Sequence, residues 1–141
     1  MANLKDLRPK VQAMLGVLIK QVKDKLKYDI IFTQGYRSIA EQNAIYAQGR
    51  TKPGKIVTNA KGGQSFHNFG VAFDICFVIN KKAVYPPAND IKWKQVADLA
   101  IKLGLEWGDR GYKDIPHFQY RAGYSLEDFQ KNRIDQKKFL K

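Results

Sequence analysis

From Val71 to Ile79 a nine-residue run carries a single charge, and that charge, Asp74, stands near its middle. Val71, Phe73, Ile75, Phe77 and Ile79 alternate with Ala72, Asp74, Cys76 and Val78, so a strand here turns apolar side chains to both faces and belongs inside a sheet. An ionised carboxylate in that setting is strongly unfavourable unless it is paired or bound to a metal. Something cationic must face Asp74. An arginine, Arg37 or Arg50, is one candidate; a metal ion is the other.

The two histidines of the chain favour the metal. His67 lies in Ser65-Phe66-His67-Asn68-Phe69-Gly70, just before the strand, and His117 closes Asp114-Ile115-Pro116-His117. Two imidazoles and one carboxylate hold Zn²⁺ with one net positive charge and a fourth position open to water, the arrangement that separates a hydrolytic zinc from a closed structural one. Cys76, two residues after Asp74 on the same strand face, is an alternative thiolate ligand, although free cysteine usually serves as a small buried apolar side chain. Asp114 precedes His117 by three residues, roughly 10 Å in extended chain, so only a turned backbone brings both to one metal. There it suits a general base that takes a proton from water and passes it to a leaving amine. In Gly35-Tyr36-Arg37-Ser38 the guanidinium of Arg37 can grip a substrate carboxylate or a developing oxyanion, or pair structurally with Asp74 or Glu41. Gln34 and Ser65 are further candidates for contact with substrate.

Around these residues the pattern predicts helices and short strands with hairpin-like joins. Apolar residues recurring at three and four from Leu4 to Leu26 predict one helix, with Pro9 in its first turns or opening a second segment. Tyr28 to Thr33 reads as a strand ending at Gly35. Ser38-Ile39-Ala40-Glu41 is a capping box, and Gly49 a stop, for the helix that follows. Pro53-Gly54 marks a turn, Lys55 to Thr58 a short strand, and Lys61 to Gln64 a loop delivering Ser65 and His67. Asn80-Lys81-Lys82 is expected to turn into a strand from Ala83 to Tyr85. Asp90 caps a helix running to Gly104, with Trp93, Val96, Leu99, Ala100 and Leu103 inward. A glycine-rich loop from Trp107 to Gly111 leads to a last strand near His117 to Tyr120. The pattern is that of an α+β fold with an antiparallel sheet, in a single domain over 1–141 whose residues 122–141 form a polar tail.

With 141 residues the chain can bury a full core without metal or disulfide. Its one cysteine excludes an internal disulfide and suits a reducing compartment. The start, Met1-Ala2-Asn3-Leu4-Lys5-Asp6, has no apolar run of the signal-peptide kind, which points to synthesis in a cytoplasm. No stretch has the roughly 18 apolar residues of a membrane span, so no membrane insertion is expected. Lysine and arginine total 25 against 13 aspartate and glutamate, a net charge of +12. Such a field favours polyanions. The basic residues are dispersed and accompany no nucleic-acid motif, which argues against nucleic acid; an anionic bacterial wall would attract the same charge equally well, and a solvated basic surface with no specific partner is the alternative.

Taken together, Gln34-Gly35-Tyr36-Arg37-Ser38, the run Ala40 to Gly54, the segment Ser65 to Asp74 and Asp114-Ile115-Pro116-His117-Phe118 resemble the zinc peptidases that include D-Ala-D-Ala carboxypeptidases and L-alanyl-D-glutamate endopeptidases, above all those found as phage endolysins. The likeness covers about Thr33 to Tyr120. It implies a small antiparallel β-sheet flanked by helices, shared with hedgehog signalling domains. It also implies zinc on His67, Asp74 and His117, Asp114 as catalytic base, and Arg37 at substrate or oxyanion. The substrate implied is the peptidoglycan stem peptide, cut between L-Ala and D-Glu by a monomeric enzyme that reaches the wall after release from the host cytoplasm. A D-Ala-D-Ala carboxypeptidase and a non-catalytic zinc-stabilised wall-binding module are the alternatives. Two departures stand out. Many relatives have Glu where this chain has Gln119, at the outer support of His117. Many also carry a separate wall-binding domain; none is expected here, and the positive charge is expected to tether the enzyme to anionic wall polymers instead.

Overall fold

A computed structural model describes residues 3–108 and 114–141. The architecture is α+β, and its sheet is antiparallel throughout. Strand β2 (Ala72–Ile79) is the charged-centre strand of the sequence and the middle of that sheet. Strand β1 (Asp29–Gln34) lies along one edge of it. The other edge is divided: β3 (Lys82–Val84) pairs residues 77–79, and β5 (His117–Gln119) pairs residues 72–74. Strand β4 (Glu106–Trp107), which the sequence pattern does not reveal, adds to β5. Asn80 and Lys81 join β2 to β3 with φ of 52° and 66°, the left-handed pair of a two-residue hairpin turn.

One face of β2 is core and the other is site. Phe77 meets Trp93 of α3 (Ile91–Lys102) edge-on at 5.0 Å, and Phe73 stacks on its cross-strand partner Phe118 at 6.0 Å. Trp93, Val96, Leu99 and Ala100 are buried, and Leu103 is partly buried, as their spacing predicts. Asp90 caps that helix by accepting from the Lys92 N–H at 2.9 Å. The helical run expected from Leu4 to Leu26 is divided into a 3₁₀ turn (Leu4–Asp6), α1 (Pro9–Gln21) and a π-wound turn (Val22–Leu26), with Pro9 opening a second segment, the alternative its position allowed. Pro9 has no N–H to continue a preceding helix, and the residue before a proline is pushed extended, as Arg8 is with ψ of 146°, so Pro9 opens α1 at its first position. The buried stripe Val11, Met14, Leu15, Leu18 and Val22 survives the break.

Helix α2 (Ile39–Ala47) begins at the capping box: Glu41 N–H donates to Ser38 Oγ at 3.0 Å and Ser38 N–H to Glu41 Oε1 at 2.9 Å. Lys55 to Thr58 is no strand. Its β-favouring side chains find no neighbouring edge to pair with, and Ile56 and Val57 are 56% and 61% exposed. The glycine-rich loop expected up to Gly111 lies, past Gly108, outside the described residues.

The segment 122–141 contributes to the core. It holds α4 (Leu126–Gln130) and a 3₁₀ turn (Gln136–Phe139), each with one buried aromatic, Phe129 and Phe139. Phe129 lies 5.9 Å edge-on from Phe66 and 5.5 Å from Phe69, and Phe139 lies 5.8 Å from Phe129 with the Arg8 guanidinium 5.2 Å over its ring. Among the described residues no helix is long and apolar enough to cross a membrane.

Candidate metal centre and its cleft

Sheet pairing sets three site residues in one row. The register shifts between Phe32 and Gln34, a bulge that places Gln34 opposite Asp74, and Asp74 in turn lies opposite His117. His67 comes from the 3₁₀ turn Phe66–Phe69, which a reciprocal cap fixes: His67 N–H donates to Ser65 Oγ at 3.2 Å and Ser65 N–H to Asn68 Oδ1 at 3.2 Å. Asn68 Nδ2 donates to the Arg37 carbonyl and Arg37 N–H to the His67 carbonyl, both at 3.0 Å, so this turn is stitched to the segment after β1. Gly35 lets the Phe32 ring lie close over that segment, since a Cβ there would sit 2.5 Å from the ring and push it aside.

The hydrogen bonds behind the two imidazoles decide what they present in front. His67 Nδ1 lies 2.7 Å from the Gly35 carbonyl, which can only accept, so Nδ1 carries the proton and Nε2 a lone pair. His117 Nε2 donates to Gln119 Oε1 at 2.8 Å, which leaves a lone pair on Nδ1. Those two lone pairs face each other across 3.1 Å and lie 3.3 and 3.4 Å from Asp74 Oδ1. Asp74 Oδ1 is itself buried without a hydrogen-bond partner. Two ring nitrogens and a carboxylate oxygen converging within 4.8 Å, all acceptors, fit a cation, and N₂O is a zinc donor set. The Arg37 and Arg50 pairings with Asp74 do not occur among the described residues; Arg50 instead donates to the Thr58 carbonyl and stacks on Tyr46 at 3.8 Å. Cys76 is buried, and lying two residues along β2 it is outside the converging group.

Electrostatics agree with the geometry. Burial alone would raise the Asp74 carboxyl, yet the His117 and His67 imidazoles beside it, able to take up a proton and with it positive charge, reverse this and hold it well below the usual carboxylate range. Burial would lower His117, yet Asp74, Gln119 and Asp114 raise it above its ordinary value. The pocket draws positive charge, whether a proton or a metal.

Gln34, Arg37, Ser65 and Asp114 line one cleft of about 380 Å³ together with His67, Asp74 and His117. The turned backbone that Asp114 needs is present: His117 N–H donates to the Asp114 carbonyl at 3.1 Å, and Asp114 Oδ2 lies 3.8 Å from His117 Nδ1. Arg37 has no carboxylate in ion-pair range among the described residues, and its Nε is buried without a partner. Its Nη1 donates at 3.0 Å to Gln42 Oε1, and Gln42, fully buried, donates from Nε2 to the Ala60 carbonyl at 2.8 Å. Gln42 thus aims Arg37. The sequence reading passes over it, although a glutamine one turn after a capped helix start is placed to reach back to Arg37.

The sequence profile of the D-alanyl-D-alanine carboxypeptidases of the M15 peptidase family matches residues 58–120, the stretch holding all three ligand candidates and Asp114. Peptidoglycan L-alanyl-D-glutamate endopeptidase CwlK of Bacillus subtilis (strain 168) is 39% identical over 127 residues, covering 77% of this chain and 75% of that protein. Among solved structures the fold is similar to that of Serratia marcescens L-Ala D-Glu endopeptidase ChiX, with TM-score 0.61, 20% identity, 91% of this chain and 87% of that chain covered. It is similar too to vancomycin-resistance D,D-pentapeptidase VanY in complex with Zn(II), with TM-score 0.60, 14% identity, and coverage of 93% and 82%. Those structures establish the fold, and the sequence match establishes kinship. M15 peptidases are zinc-dependent, and the converging donors of this chain suit that ion: the chain belongs to the M15 peptidase family and is a zinc metallopeptidase.

Proposed function

We propose that this enzyme hydrolyses the L-Ala-D-Glu bond of the peptidoglycan stem peptide. The observation that carries the reading is the 39% identity to an endopeptidase of that specificity, over a stretch that includes most of the chain. His67, Asp74 and His117 would hold zinc, which when bound would supply Lewis acidity and a water of lowered pKa. Asp114, its side chain half exposed at the cleft and 3.8 Å from His117, takes the proton from that water and hands it to the leaving amine. Arg37, aimed by Gln42 and lacking a carboxylate partner among the described residues, meets the negative charge of substrate or oxyanion. Gln34 and Ser65, on the cleft wall, hold the peptide backbone.

The biological setting is that of a phage endolysin, monomeric, made in the host cytoplasm and acting on the wall after release. The resemblance of the run from Gln34 to Gly54 to phage endopeptidases supports this, and the net charge of +12 supports adhesion to anionic wall polymers. Digestion of purified peptidoglycan should expose new amino groups on D-Glu; release of terminal D-Ala alone would move the enzyme to the carboxypeptidase branch. Asp114→Ala should keep zinc and fold while losing about 100-fold or more in hydrolysis, and undiminished hydrolysis would remove the base assignment. In producing cells the same termini should appear only after the inner membrane is permeabilised. Their appearance in intact cells would exclude the lysis setting.

A further inference from the structure

Behind His117 stands a chain of polar groups that the zinc chemistry does not itself demand. Gln119, 1% exposed, accepts from His117 Nε2 and donates from its own Nε2 to Glu106 Oε1 at 3.0 Å. Glu106 and Gln119 are direct cross-strand partners on β4 and β5, so backbone register brings them together. Arg121 clasps Glu106 with two hydrogen bonds, Nε to Oε1 at 2.7 Å and Nη2 to Oε2 at 2.9 Å, while its Nη1 donates to the Tyr124 carbonyl at 3.0 Å. An amide has one accepting end and one donating end, whereas a carboxylate only accepts. Glu106 therefore forces the amino group of Gln119 toward itself and the carbonyl toward His117. That orientation in turn keeps the proton on His117 Nε2 and the lone pair on Nδ1, where a metal needs it.

We propose that Glu106 and Gln119 form a two-residue positioning relay for His117, in which the outer carboxylate stands one strand away and acts through an oriented amide. The Glu106 carboxylate thus supports His117 at one remove, through the oriented amide of Gln119. The inference uses only the zinc assignment and is independent of which bond is cut.

The relay makes a reciprocal prediction. In Glu106→Gln the group behind Gln119 can donate as well as accept, so the amide is free to flip and the His117 tautomer is no longer imposed. In Gln119→Glu two carboxylates are set about 3 Å apart, so each disturbs the other. Exchanging both, Glu106→Gln with Gln119→Glu, restores a matched pair: the amide at 106 donates to the carboxylate at 119 and accepts from Arg121. Zinc affinity of each metal-free protein is measured by competition with a chromophoric chelator, and the His117 tautomer by nitrogen-15 NMR. Each single variant should bind zinc about 10-fold or more weakly, Glu106→Gln should show a mixed tautomer, and the double exchange should return to within about threefold of the parent chain. Single variants with parental affinity would overturn the relay. So would a double exchange as weak as the two losses combined, since purely structural damage adds and is not rescued by swapping. Substrate enters none of these measurements, so failure here leaves the L-Ala-D-Glu reading untouched, and failure of that reading leaves the relay standing.

Discussion

Asp74 is tolerated on an apolar strand because two imidazoles face it, and the metal-free protein should reveal that dependence through pH. Its carboxyl is held below the ordinary 3.8 and the His117 imidazole above the ordinary 6.5. A lowered carboxyl stabilises the fold above its ordinary value, and this is lost as pH falls through the folded value. A raised imidazole stabilises below its ordinary value, and this is lost as pH rises through the folded value. The pair thus favours the metal-free fold most between 3.8 and 6.5. Urea unfolding of metal-free parent and His117→Gln proteins should show a wider stability gap at about pH 5.5 than at about pH 8.5; a gap constant with pH would contradict the pairing. Added zinc reverses the sign for the parent, since its ligands must be deprotonated and its stabilisation grows with pH. At this scale the sequence was legible where residue type restricts chemistry: His67, Asp74 and His117 have few roles when they lie close to one another. Gln42 was not legible in the same way, because its amide takes its role from both Arg37 and the distant Ala60; Gln119 was legible as a support of His117, two residues away, but its partner Glu106 on another strand was not.

Among elements, the turn that carries His67 rests on the last part of the chain. Phe66 and Phe69 flank His67, and both rings touch Phe129 of α4. Phe129→Ala removes a 4% exposed ring from that contact and should cost about 3 kcal/mol in urea unfolding. It should also weaken zinc binding, because the turn loses its floor; unaltered zinc affinity in a destabilised variant would show that the turn is held by its caps alone. The sequence pattern made β2, α3 and the Ser38 capping box legible, since alternation, helical spacing and cap chemistry are each local. It read 122–141 as a polar tail because the segment is rich in charge and its few apolar residues make no long periodic run, the burial of Phe129 and Phe139 being decided by Phe66, Phe69 and Arg8. It placed a strand at 55–58 for the converse reason, local β-preference without a partner edge.

For the molecule as a whole, a charge of +12 on 141 residues is a long-range property that no single lysine determines. If that charge tethers the enzyme to anionic wall polymers, retention of the metal-free protein on purified cell walls should fall about tenfold or more between roughly 0.05 and 0.5 M salt, as the screening length contracts from more than 10 Å to under 5 Å. Cleavage of a small soluble muropeptide by the active enzyme should change far less over the same range. Retention that ignores salt would assign adhesion to a specific contact instead. The row Gln34, Asp74 and His117 across β1, β2 and β5 has a consequence of another kind. Side chains alternate along a strand, so sliding β5 by one residue against β2 would turn His117 away from Asp74 and bring Phe118 into its place. Only the correctly paired sheet can take up the ion. Zinc uptake therefore reports correct strand alignment, and in a refolding experiment its capture should coincide with the docking of β5.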